Sequence, residues 1–161
     1  MIICGIDPGL ATTGVGIVDY TGNRFTVLHY SAIITKSSKT LSERLGQIHA
    51  ELSEIIRSHS PEALAIESLF FNKNVSSAIH VGHARGVVLL VADQFGLSVT
   101  EYTPPQIKLA VSGYGRADKK QMQEMVKRLL KLQSVPKPDD VADGLAVSIC
   151  HAHSHRIQSY T

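Results

Sequence analysis

Residues 2–7, Ile-Ile-Cys-Gly-Ile-Asp, form a short apolar run that stops on a carboxylate, and Pro8-Gly9 turns the chain at once. A run of this length and composition suits a strand buried on both faces. Its last residue, Asp7, then stands where strand meets loop, which is where open α/β sheets gather their ligand chemistry. The next segment, 11–20, reads as a second strand returning antiparallel, and its Gly14 and Gly16 leave room for close approach of backbone or ligand. Asp also initiates turns, so Asp7 on its own admits a purely structural reading.

The rest of the chain restates the pattern. Residues 24–34 alternate well enough for a third strand, which completes a meander. Thr40 and Glu43 fit a capping box ahead of a helical stripe of Leu41, Leu45, Ile48, Leu52 and Ile55-Ile56. After Pro61, Ala63-Leu64-Ala65-Ile66-Glu67 is a second apolar run ending in an acid. A helical crossover makes it parallel to the first strand and brings Glu67 near Asp7.

Residues 75–95 predict a long helix, apolar over much of its surface, with small residues at Gly82, Ala84 and Gly86. Such a helix is either central or a subunit interface. Gly96 suits its C-terminal cap. Further on, 97–102 reads as a fifth strand, 106–111 as a short helix and 119–131 as a basic helix opened by Asp118. A last helix starts at Asp139 or Asp140 and runs to about His153. This order is the arrangement of the ribonuclease H-like fold. It is an α/β architecture with a mixed five-stranded sheet, an antiparallel meander joined to parallel strands, flanked by helices. It occupies residues 1–161 as one domain.

A chain of 161 residues buries a substantial core without help from disulfides. Cys4 and Cys150 lie in apolar surroundings at opposite ends, and free thiols are the expectation. The start lacks a basic, apolar leader and no stretch reaches the length of a membrane span, so a cytoplasmic protein is expected. The net charge of +2 excludes little. Its distribution is more telling: between 103 and 137 eight basic residues face two acids, which leaves the remainder acidic. That asymmetry suggests a face for a polyanion, and Lys108, Arg116, Lys119 and Lys120 are its candidates. A solvated helix face is the alternative. His80 and His83, and His151, His153 and His155, lack the partners of a zinc site. Gly14-x-Gly16 has no following helix and so does not read as a dinucleotide fingerprint.

Asp140 and Asp143 are three apart on the last helix and share one face. Helix capping accounts for Asp139 and Asp140, but Ala142, Leu145, Ala146 and Ile149 make the surroundings of Asp143 apolar. Asp7, Glu67, Asp140 and Asp143 brought together would repel one another and need cations to stay ionised. Hard oxygen donors of this kind suit Mg²⁺, with Mn²⁺ as a substitute, and two ions clamp a phosphodiester displacement.

Ile6-Asp7-Pro8-Gly9 with Thr13-Gly14-Val15-Gly16, then Ala65-Ile66-Glu67, Ala84-Arg85-Gly86-Val87, and Asp140-Val141-Ala142-Asp143-Gly144-Leu145-Ala146 occur in order over nearly the whole chain. Together they resemble the RuvC family of bacterial Holliday-junction resolvases. The resemblance implies a homodimeric, Mg²⁺-dependent endonuclease that nicks opposed strands of a four-way DNA junction alongside the RuvA–RuvB branch-migration complex. It implies that Asp7, Glu67, Asp140 and Asp143 are the catalytic, metal-binding acids, with two ions per site in the family's pattern. It also implies that Phe70, with Phe71 beside it, meets a junction base, and that Lys108 and Lys119 line a DNA cleft. Ser68 stands where many members of that family carry Gln. Another ribonuclease H-like nuclease, of ribonuclease H or pre-resolvase type, or a non-catalytic junction-binding protein is the alternative.

Overall fold

The computed structural model describes residues 1–68 and 75–158; Phe70 and Phe71 lie outside them. Five strands form one sheet: β1 (Ile2–Asp7), β2 (Thr12–Thr21), β3 (Arg24–Ile34), β4 (Ala63–Glu67) and β5 (Ser98–Tyr102). Their spatial order is β3-β2-β1-β4-β5. The meander β1–β2–β3 is antiparallel, whereas β4 joins β1, and β5 joins β4, in parallel. The helices are α1 (Leu41–His59), α2 (Val75–Gln94), α3 (Pro104–Ser112), α4 (Lys119–Leu129) and α5 (Asp139–Gln158).

Local chemistry sets the helix starts. Thr40 accepts from the Glu43 backbone N–H while the Glu43 carboxylate accepts from that of Thr40, the reciprocal capping box expected for α1. Asp118 with Gln121 opens α4 in the same way. Three expectations shift. α3 begins at Pro104, because Thr103 caps it with Gln106 and proline is at home in a first turn. α4 stops at Leu129, and Lys131 takes a positive φ of 53° just beyond it. α5 runs five residues past the expected end, to Gln158.

Strand alternation sends side chains to two cores. Cys4, Ile6, Val15, Ile17, Leu64 and Ile66 pack toward α1 and α2. Ile3, Val18 and Ala65 pack instead with Leu145 and Ile149 of α5 and Ile107 of α3. Both cysteines are buried free thiols. No helix among the described residues is long and apolar enough to cross a membrane.

The parity of the strands is what positions the acids. Asp7 continues the series Ile3, Gly5, and Glu67 follows Ala65, so both carboxylates emerge on the α5 face. Ile6 pairs with Ile66, so the two strands end side by side.

Candidate active site

Four glycines let α5 lie almost directly on β1 and β2. A Cβ on Gly14 would overlap the Asp140 carbonyl, and one on Gly5 would overlap the Gly144 carbonyl. A Cβ on Gly16 would come within 2.7 Å of Leu145, and one on Gly144 within 2.9 Å of the Gly14 oxygen. Ser148 Oγ locks the contact by donating to the Gly16 carbonyl at 2.9 Å. The room expected at Gly14 is thus filled by helix backbone, and that at Gly16 chiefly by the Leu145 side chain. Since Asp7 pairs with Gly14 across the strands, the first turns of α5 sit over the end of β1.

All four acids meet there electrostatically. Burial pushes the Asp7 carboxyl up to about 8, and Asp143, Glu67 and Asp140 each add to the rise. Burial also raises Glu67, with Asp143 adding and Lys108 opposing. Asp143 is raised by burial, against Lys119, with Asp140 and Asp139 adding. Among the described residues no three His, Cys, Asp or Glu side chains are grouped closely enough to hold a metal ion. The carboxylate donors are of the kind a hard divalent cation takes, and its charge would offset the burial and mutual repulsion that raise Asp7, Glu67 and Asp143.

Two of the four basic candidates stand beside these acids. Lys108 and Lys119 line a cleft of about 220 Å³ together with Glu67, Asp143 and Met122. Lys119 Nζ pairs with Asp139 at 2.9 Å, and that hydrogen bond, with the nearby acids, raises its pKa. Arg116 and Lys120 are exposed on the loop before α4 and its first turn, with no tie to the carboxylates.

Two supporting residues escaped the sequence. Arg85 is buried in α2; its Nη1 donates to the Glu67 carbonyl at 2.8 Å and its Nη2 pairs with Glu101 on β5. An arginine in a helix of mainly apolar and small residues was the available signal. Asp139 accepts from Lys119, from Lys137 at 2.8 Å and from Gln123 at 3.0 Å, more than an N-cap requires. These cations hold its carboxyl well below the usual range. Lys137 is two residues upstream, but nothing local foretells Gln123 or Lys119.

The sheet order and the placement of α5 define an α/β protein of the ribonuclease H-like class. Within that class the chain belongs to the RuvC family: the family model described as crossover junction endodeoxyribonuclease RuvC matches residues 3–151. A protein of that description from Alkaliphilus oremlandii is 60% identical over 154 residues, covering 96% of this chain and 94% of the relative. Another, from Ruminiclostridium cellulolyticum, is 55% identical over 157 residues, covering 98% and 95%. The T. thermophilus RuvC solved in complex with a Holliday junction substrate superposes with a TM-score of 0.94 at 37% identity, covering 99% of this chain and 97% of that one. The yeast mitochondrial Holliday junction resolvase Ydc2 shares the fold, with a TM-score of 0.69 at 12% identity, covering 98% and 82%.

Proposed function

We propose that this chain is a crossover junction endodeoxyribonuclease, a single nuclease domain that cuts four-way DNA junctions. The observation that carries the reading is the convergence of Asp7, Glu67, Asp140 and Asp143 at the ends of the inner strands β1 and β4, beside a cleft that supplies Lys108 and Lys119. Membership of the RuvC family gives that chemistry its substrate.

In this reading Asp7, Glu67, Asp140 and Asp143 would hold Mg²⁺, or Mn²⁺ in its place, as a pair of ions that would supply the charge stabilisation for phosphodiester hydrolysis. The protein's own share is placement. β1 and β4 fix two carboxylates on a rigid sheet, and the glycine contact fixes two more on α5. Lys108 and Lys119 draw the DNA backbone over the acids, and Asp139 holds Lys119 at the rim. Arg116 and Lys120 add sequence-independent attraction to phosphate further out. Phe70 and Phe71 are assigned to an unstacked junction base on the resemblance alone.

Paired cuts in opposed strands need two sites related by a two-fold axis, and an isologous dimer supplies them. α2 is the surface proposed for it. Its Ala84, Val88, Val91 and Ala92 are buried within the subunit, while Ile79 and Leu90 remain about half exposed. The RuvA–RuvB branch-migration complex is the proposed partner in the cytoplasm.

The test is a panel of labelled substrates with Mg²⁺: four-way junction, duplex, RNA–DNA hybrid and single strand. Paired nicks confined to the junction are expected. Preferential cutting of the hybrid would instead indicate a ribonuclease H, and tight junction binding without cutting a structural binder. Asp7→Asn, Glu67→Gln, Asp140→Asn and Asp143→Asn should each abolish cutting while junction binding persists.

A further inference from the structure

A second cleft, of about 340 Å³, opens on the other side of the acids, bounded by the loop Gly9–Thr12, Arg44, His80 and Asp140. Asp140 thus faces this cleft, whereas Glu67 and Asp143 face the one that holds Lys108 and Lys119. Arg44 is held in place from behind. Its Nε donates to Thr35 Oγ1 at 2.8 Å, and the buried Thr35 hydroxyl donates in turn to the Leu10 carbonyl. The Thr35 backbone N–H also bonds the Ala11 carbonyl at 3.0 Å, so Arg44 and the loop after β1 are one unit. The two terminal amino groups of Arg44 have no hydrogen-bond or ion-pair partner among the described residues. An oriented guanidinium fork with both terminal donors unspent among the described residues matches the geometry of a phosphate. His80, exposed on α2, adds a ring donor on the facing wall. Asp140 is the one acid lining the cleft, and in the proposed reaction its charge is committed to a cation.

We propose that Arg44 and His80 form a phosphate-binding subsite for the DNA strand being cut, on the flank of the acids opposite Lys108 and Lys119. The strand then crosses the end of β1 from one cleft to the other, with the scissile phosphodiester over the acids and a neighbouring one against Arg44. Gripping the backbone on both sides fixes which linkage lies over Asp7. This subsite rests on the nuclease reading above.

The experiment uses the full chain and a set of four-way junctions, each with one uncharged methylphosphonate linkage stepped past the cut site. Junction affinity is measured in Ca²⁺ to suppress cutting, for wild type, Arg44→Gln, Arg44→Lys and His80→Ala. At one linkage adjacent to the cut the wild type should lose roughly tenfold in affinity, the size of a charge-assisted hydrogen bond. Arg44→Gln should show that loss already on the normal junction and no further loss at that linkage. Its slope of log K against log salt should shrink by about one unit, while Arg44→Lys retains most of the slope. His80→Ala should be coupled to the same linkage, more weakly. His80 is exposed, so that cycle stands even where loss of the Thr35 contact unfolds Arg44→Gln. Additive penalties at every linkage, in a wild type that nicks junctions normally, would overturn the subsite alone. A wild type that leaves junctions uncut would overturn the nuclease reading, and the subsite with it.

Discussion

Gly14 lies so close beneath Asp140 that a methyl group on Gly14 would occupy the space of the Asp140 carbonyl oxygen. The contact joins β2 to the first turn of the helix that carries two of the four acids. Backbone cannot give way as a flexible side chain does. Gly14→Ala should therefore lift the start of α5 and cost roughly 1–3 kcal/mol of stability, the usual penalty for overpacking. Single-turnover cutting should suffer more than junction affinity, because Asp140 and Asp143 move relative to Asp7. Thermal denaturation alongside rapid-quench cleavage checks both, and an unchanged rate would separate the glycine contact from the site.

Arg85 anchors the end of β4 by donating to the carbonyl of Glu67 itself. Its other partner, Glu101, is half exposed, so water compensates that carboxylate when the arginine is removed, and the ion pair contributes little. The backbone bond is the larger loss, about 1.5–3 kcal/mol for a charged donor. Arg85→Met should lower the rate of cutting about tenfold with junction affinity in Ca²⁺ unchanged. Arg85→Lys should restore only part of it, because an ammonium lacks the fork that reaches both partners. A parallel fall in affinity and rate would instead mean general loss of structure.

Asp7 should make the metal-free protein sensitive to alkali. Its carboxyl titrates near 8 in the folded chain against an ordinary value of 3.8. The folded state therefore binds more protons than the unfolded state between those values. Stability falls as pH rises through that window. The raised Glu67 and Asp143 act in the same direction. In EDTA the melting temperature should fall between pH 5 and about 8. Asp7→Asn should flatten the fall and melt higher than wild type at the alkaline end. Added Mg²⁺ should restore the wild type more than the variant. A wild-type melting temperature that climbs with pH in EDTA would contradict the raised carboxyl.

Ile79 and Leu90 are 54% and 51% exposed on α2. If they meet their counterparts across a two-fold axis, Leu90→Asp buries two unpaired charges there and should yield folded monomers. Sedimentation at micromolar concentration reads the state. The monomers should nick junctions singly. Wild-type protein that sediments as a monomer yet makes paired cuts would sink the dimer.

Much of this protein was legible in the order of its residues because the relevant signals are local. Apolar runs that end in Asp7 and Glu67, the Thr40–Glu43 capping box and the helical stripe after it depend on spacings of one to four residues. Strand parity then fixes the face on which each acid emerges, once a parallel pairing of β1 and β4 is assumed. Three-apart spacing likewise puts Asp140 and Asp143 on one side of a helix. What spacing does not carry is the distance between elements far apart in the chain. Gly14 and Gly16 signal a close approach along the sequence but not what approaches, and Gly5 and Gly144 give no such signal; in the fold all four remove the side chains that would hold α5 off the sheet. That contact converts two pairs of acids into one site and adds the charges of Asp143 and Asp140 to the burial that raises Asp7. The grip of Arg85 on Glu67, the tether of Lys119 to Asp139 and the locking of Arg44 through Thr35 to Leu10 are decided the same way. Each joins groups from different elements, and their energies depend on burial and on orientations that exist only after the layers have packed.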